Sequence, residues 1–219
     1  MSSIKPSCVI CAWRATCQKQ FSITNPSTCP DFTLDVAIKD YPGKKGVKLL
    51  IEGEPGIGKT TLVERLIVRL KDVRAGGFVT REIRESGERR GYRIISLDKH
   101  EGVLAHVELS GSYKVGKYTV NLEDLEKVGV KAIERALRDD QVIIIDEIGK
   151  MELMSPRFPE MVEFALRSDK PLVATVPADG PPFVEEIKKR SDIHLIRLTK
   201  ENRDTVIDEV VAHVIGDVG

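Results

Sequence analysis

Beyond residue 29 the 219-residue chain contains no cysteine, which excludes a disulfide framework or a thiolate metal site from its main body. Net charge is missing too. Lysine plus arginine and aspartate plus glutamate number 34 each, so no overall field draws the protein to nucleic acid or to an anionic membrane, and a nucleic-acid partner is not indicated. No apolar run approaches the roughly 20 residues of a membrane span, and the N-terminus lacks the apolar stretch of a secretory signal. No membrane partner is expected, and the expected address is the cytoplasm. Internal repeats and low-complexity tracts are absent. With 41% hydrophobic residues, a chain of this length suits one α/β core with a small appendage, and hardly two full domains.

The strongest positive feature is the run Gly53-Glu54-Pro55-Gly56-Ile57-Gly58-Lys59-Thr60, which fits the phosphate-cradle pattern G-x-x-x-x-G-K-[ST]. It follows Val47-Lys48-Leu49-Leu50-Ile51, an apolar stretch that reads as a buried strand. An amphipathic segment beginning Thr61-Leu62-Val63 follows. Glycines let such a loop fold back so that successive N–H groups face phosphate oxygens, and the next helix adds the positive end of its dipole. Lys59 supplies a point charge to the terminal phosphates, while the Thr60 hydroxyl suits a position on Mg²⁺. The expected ligand is therefore a nucleoside triphosphate with its magnesium.

A second signal lies in Val142-Ile143-Ile144-Ile145-Asp146-Glu147. Four consecutive β-branched residues predict a strand buried on both faces, which puts two carboxylates at its carboxyl end, where open α/β sheets bind ligands. Asp146 is the expected metal partner of Thr60. Glu147 is the expected base that orients or deprotonates the attacking water, and its presence beside the metal aspartate points to hydrolysis rather than binding alone.

All four cysteines, Cys8, Cys11, Cys17 and Cys29, fall in a C-x2-C-x5-C-x11-C array. Trp13, Phe21 and Phe32 are too few apolar groups to hold roughly 40 residues without a staple. In a reducing compartment four thiolates suit tetrahedral zinc or an iron-sulfur cluster; reduced, weakly ordered cysteines or a redox pair are the alternatives. The expected organisation is a small Cys-rich unit over 1–40, a linker over 41–46 and a P-loop domain over 47–219. The Cys-rich unit is a possible docking point for a protein partner.

Within the large domain, Gly76-Gly77 is expected to break the pattern before a hairpin with strands over 78–83 and 90–97. A short strand over 103–109 and a helix from Asn121 or Asp124 through Ala136 follow. From Gln141 onward strands over 142–146, 171–176 and 194–198 alternate with helices over 158–167, 183–189 and 202–214. This alternation predicts an α/β fold with a mostly parallel central sheet, helices on both faces and an antiparallel hairpin extension.

One near miss concerns guanine. Asp146-Glu147-Ile148-Gly149 fits the D-x-x-G of small GTPases, and Thr199-Lys200-Glu201-Asn202 approaches their T-K-x-D. The last position is asparagine, which offers one carbonyl oxygen where a guanine-reading aspartate accepts from two N–H groups. Strict guanine specificity is not expected.

Taken together, the cradle, the segment Gly77-Phe78-Val79-Thr80-Arg81-Glu82-Ile83-Arg84-Glu85-Ser86-Gly87, the segment Asp146-Glu147-Ile148-Gly149-Lys150-Met151-Glu152-Leu153 and Thr199-Lys200-Glu201-Asn202-Arg203-Asp204 resemble the small cancer-related or hyperthermophile-type nucleoside-triphosphatases. The resemblance spans about residues 47–216. It implies a RecA-like P-loop domain and slow Mg²⁺-dependent hydrolysis of ATP, GTP and other triphosphates. It also implies that Val142, Ile143, Ile144, Ile145, Asp146, Glu147, Ile148 and Gly149 line the nucleotide site with Gly53, Glu54, Pro55, Gly56, Ile57, Gly58, Lys59, Thr60 and Thr61. The cysteine-bearing first 46 residues depart from the family pattern.

Other residues have two readings. Arg84 and Arg89 flank the hairpin turn and are candidates for a phosphate-reaching finger or are solvated turn residues. Thr175 either contacts the γ-phosphate or its water, or is an ordinary strand threonine. Lys150 pairs with Glu152 or nucleotide, or covers the sheet edge. Two other functions use the same site: a P-loop kinase acting on a small molecule or a polynucleotide end, and a partner-gated nucleotide switch.

Overall fold

The structure is a computed structural model that describes residues 46–218. The four cysteines, most of the expected linker and the final glycine lie outside the described residues. Nine strands form one sheet: β1 (Lys48–Gly53), β2 (Ala75–Glu85), β3 (Glu88–Ser96), β4 (Glu101–His106), β5 (Lys114–Val115), β6 (Tyr118–Val120), β7 (Val142–Ile145), β8 (Leu172–Pro177) and β9 (His194–Arg197). Their order is β5-β6-β4-β3-β2-β7-β8-β1-β9. Strands β2, β7, β8, β1 and β9 pair in parallel, and β3 to β6 extend the sheet antiparallel from β2.

The helices are α1 (Lys59–Arg69), α2 (Leu122–Asp124), α3 (Lys131–Asp139), α4 (Arg157–Arg167), α5 (Pro182–Lys188) and α6 (Val206–Val218), with a π-helical turn over Leu125–Val130 between α2 and α3. Alternate strand residues face opposite sides of a sheet. Accordingly Leu49 and Ile51 of β1, Ile144 of β7 and Val173 of β8 share a core with Leu62, Val63 and Leu66 of α1 and Val210 and Val214 of α6. On the other face, α3 packs on β2 and β7 and α4 packs on α3. Phe78 of β2 meets Phe158 of α4 edge to face, with ring centroids 6.1 Å apart.

Two features of this arrangement position the site. The register sets Gly53, Pro177 and Ile145 near one edge of the sheet, because Leu50 and Ile145 both lie opposite Ala174 on β8. The cradle strand β1 and the acidic strand β7 are therefore not neighbours: β8 runs between them.

The expected break at Gly76-Gly77 does not occur. Both glycines lie inside β2, which pairs with β7 from Ala75 to Phe78 before continuing into the hairpin. Their reason is proximity. At Gly77, with φ of +110°, a Cβ would lie 1.9 Å from the Ile144 carbonyl oxygen, and at Gly76 it would lie 2.0 Å from Asp140 Oδ2. Gly77→Ala should cost about 3 kcal/mol and lower the melting temperature by roughly 10 °C, since both backbone angle and space oppose a side chain. Thermal denaturation of the variant beside the wild-type chain checks this.

Candidate functional site

The 53–60 loop owes its course to glycine at two points. Gly56 and Gly58 have φ of +78° and +113°, in the left-handed region, and Gly58 opens α1. Glu54, Pro55 and Gly56 are exposed, so the rim of the loop is open to ligand. Lys59, in the first turn of α1, turns back beneath the loop. It donates to Gly53 O at 2.7 Å and Glu54 O at 3.4 Å, and lies 3.1 Å from Glu147 Oε2. The lysine of the cradle and the candidate base thus form an ion pair, with the side chains 9% and 31% exposed.

Asp146 and Glu147 follow β7 directly, and backbone bonds hold them from both sides. Asp146 N–H donates to Phe78 O of β2 at 3.1 Å, and Ile148 N–H donates to Thr175 O of β8 at 2.9 Å. The Asp146 side chain is buried. Its Oδ1 accepts from the Thr175 hydroxyl at 2.6 Å, while Oδ2 is buried without a hydrogen-bond partner. Burial pushes the carboxyl up to about 6, and the charge of Glu147 adds to this. The Thr175 bond, the nearby Thr60 hydroxyl and the Thr80 N–H favour the ionised form.

Of the two readings of Thr175, the structure shows a buried strand residue whose hydroxyl donates to Asp146. It stands on the strand between cradle and acidic pair, and its hydroxyl is committed to Asp146. A buried threonine on a central strand offers no sequence signal for this role, because the order β7-β8-β1 is visible only in the fold.

Glu152 is also buried, and turns inward rather than to Lys150, which is exposed. Its Oε2 accepts from the Gly149 N–H at 3.1 Å. Burial pushes its carboxyl up to about 8, and the charges of Glu147 and Asp146 add to the rise. The hairpin arginines are not gathered at the cradle. Arg84 and Arg89 both pair with Glu82 of their own hairpin, at 2.7 and 2.6 Å. Arg81 is the one tied to α1, at 2.8 Å from Glu64.

On the far side of the cradle, Glu52 receives Arg197 at 3.0 Å and Lys188 at 3.2 Å, so β1, β9 and α5 are linked just before Gly53. The loop after β9 carries Asn202. Its side-chain oxygen accepts from Thr199 N–H and its amide donates to Arg197 O, both at 2.8 Å. Asn202 is thus spent within its own loop.

A glycine cradle opening a helix, its lysine facing a carboxylate pair at the tip of a parallel strand, defines a P-loop nucleotide-binding protein with an α/β sheet. Residues 48–211 match the family described as NTPase, and the chain belongs to that family. It is 49% identical over 166 residues to the nucleoside-triphosphatase THEP1 of a Thermotoga species, covering 76% of this chain and 94% of that one. Identity to the Methanocaldococcus jannaschii nucleoside-triphosphatase THEP1 is 42% over 171 residues, covering 77% and 98% of the two chains. The crystal structure of THEP1 from Aquifex aeolicus superposes with a TM-score of 0.72 at 38% identity, over 77% of this chain and 99% of that one. The solution structure of a human cancer-related nucleoside triphosphatase gives 0.67 at 34% identity, over 78% and 98%. Among the described residues no helix is long and apolar enough to cross a membrane.

Thr175→Val keeps shape and removes the hydroxyl. The lost bond favours the ionised carboxylate, so the Asp146 carboxyl should titrate further above about 6. Stability should drop by about 1–2 kcal/mol above that pH, where the carboxylate is charged. Carboxyl NMR titration and denaturant unfolding measure the two effects.

Proposed function

We propose that this chain hydrolyses nucleoside 5′-triphosphates (ATP, GTP, CTP and UTP) to diphosphate and phosphate, with Mg²⁺ and relaxed choice of base. The observation that carries this reading is the 3.1 Å approach of Glu147 to Lys59, which sets a candidate base beside the lysine of a phosphate cradle. Backbone N–H groups of the 53–60 loop and the start of α1 bind the phosphates. Lys59 exchanges its loop carbonyls and Glu147 for phosphate oxygens. Glu147, released from Lys59, orients a water on the far side of the γ-phosphorus and takes its proton. The water oxygen bonds to phosphorus as the bond to the β–γ bridging oxygen breaks, and the diphosphate leaves.

The residues present suit magnesium. Asp146 Oδ2 is an open buried acceptor, and Thr60 adds a hydroxyl oxygen nearby, the hard donors this ion takes. Bound there with the triphosphate, Mg²⁺ neutralises charge on the phosphate oxygens. Thr175 holds Asp146 in place for that task.

Relaxed base choice rests on Asn202, whose polar atoms already serve its own loop. The kinase reading draws no support from the hairpin, whose Arg84 and Arg89 both pair with Glu82 of the same hairpin. The division into a unit over 1–40, a linker over 41–46 and a P-loop domain over 47–219 belongs to the proposal. So do zinc or an iron-sulfur cluster at Cys8, Cys11, Cys17 and Cys29, a protein partner at that unit, and a cytoplasmic address.

Glu147→Gln should bind ATP normally and lose about 100-fold or more of turnover, as removal of a general base does. Lys59→Ala should weaken binding and turnover alike. Phosphate release from the four triphosphates, with kcat/KM within about tenfold of one another, checks the base choice. Full turnover by Glu147→Gln would remove its assigned role.

A further inference from the structure

Of the buried acids that hydrolysis as described leaves unused, Glu52 is paired with Lys188 and Arg197, and Glu152 lies beside Glu147. Glu152 opens a short 3-10 turn, Glu152–Met154, and is 5% exposed. Its Oε2 receives the Gly149 N–H. A Cβ built on Gly149 would stand 2.9 Å from Glu147 Oε1 and 3.0 Å from Glu152 Oε2, so both carboxylates lie against the same glycine.

The charges acting on Glu152 from the end of β7 are those of Glu147 and Asp146, both negative. The helix α4 also packs on this turn. Its Phe158, Met161 and Val162 are buried, and Arg157 at its start faces Glu126 and Glu134 instead. Lys59 is engaged with Glu147. Two neighbouring carboxylates in a site of low dielectric do not both ionise readily. Glu147 is partly exposed and paired with Lys59. The buried Glu152 carboxyl is raised to about 8, against the pull of the Gly149 N–H toward the ionised form.

We propose that Glu152 is a positioning residue for hydrolysis: buried beside Glu147, it anchors the Gly149 turn and so holds Glu147 toward the phosphate lysine. The inference rests on the triphosphatase reading and on the part given there to Glu147. Its consequence follows from the exchange that nucleotide imposes. Once Lys59 turns to phosphate, Glu147 loses its counter-charge, and an ionised Glu152 would push it out of line. The proton on Glu152 is held up to about pH 8, so the arrangement is intact below that pH and is lost as pH rises through it.

The test uses the full chain with MgATP, its Glu152→Gln and Glu152→Ala variants, and the amide resonance of Gly149 in nucleotide-free protein. For the wild type, kcat should fall as pH passes about 8 while KM changes little. Glu152→Gln, which copies the neutral acid, should keep kcat within about twofold at neutral pH and lack the alkaline fall. Glu152→Ala should lose about tenfold or more in kcat with KM within about threefold. The Gly149 amide should titrate with a midpoint near 8 in the wild type and stay flat in Glu152→Gln.

A Gly149 amide indifferent to pH, an alkaline fall that survives in Glu152→Gln, a wild-type rate flat through that range or wild-type turnover in Glu152→Ala would each overturn the proposal. If Glu152→Ala does not fold, the glutamine variant and the amide signal decide alone. Absence of any hydrolysis by the wild type would instead fail the triphosphatase reading, and the amide titration would still report on Glu152.

Discussion

The pairing of Lys59 with Glu147 joins the two halves of the site. One residue opens α1 and the other follows β7, with β8 between their strands, so their 3.1 Å contact exists only because the sheet sets both strand ends at one edge. A partly buried ion pair contributes little net stability, since desolvation offsets much of the attraction, but breaking it leaves a poorly solvated charge. Each group answers the other's charge, and the proposed triphosphate would give Lys59 a further partner and release Glu147. The same arrangement accounts for the supporting residues: Thr175 fixes Asp146, and the Ile148 N–H bond to Thr175 O fixes the backbone on the other side of Glu147.

The cradle and the acidic pair were legible in the sequence because each is a local pattern with a local cause. Gly56 and Gly58 need positive φ, Lys59 and Thr60 open the helix, and an all-β-branched run can only end at the ligand-binding edge of a buried strand. The helix over 158–167 and the strands near 171–176 and 194–198 were legible for a similar reason, their periodicity, whereas the last helix, expected over 202–214, runs Val206–Val218 after a turn. What stayed hidden depends on neighbours distant in sequence. Gly76-Gly77 reads as a breaker, yet both glycines sit in a strand because Ile144 O and Asp140 crowd them. Glu152 reads as one partner for Lys150, yet the turn carries it inward to Gly149. Arg84 and Arg89 read either as phosphate fingers or as solvated turn residues, and the fold pairs both with Glu82.

The family accounts for residues 48–211, and the solved relatives are matched over nearly their whole lengths. Within that span, the loop after β9 shows how a near match to a guanine-reading sequence differs in effect. Asn202 has the right place in the fold, next to the cradle through Arg197 and Glu52, but its oxygen and amide close its own loop. An aspartate there would face the Arg197 carbonyl without the donor that now satisfies it.

The central claim is that water, positioned by Glu147, attacks the γ-phosphorus. A single turnover of MgATP in water enriched in oxygen-18, followed by mass analysis of both products, tests it most directly. The account predicts one solvent oxygen in the released phosphate and none in the diphosphate. Solvent label in the diphosphate, or phosphate found on another acceptor without solvent oxygen, would contradict it.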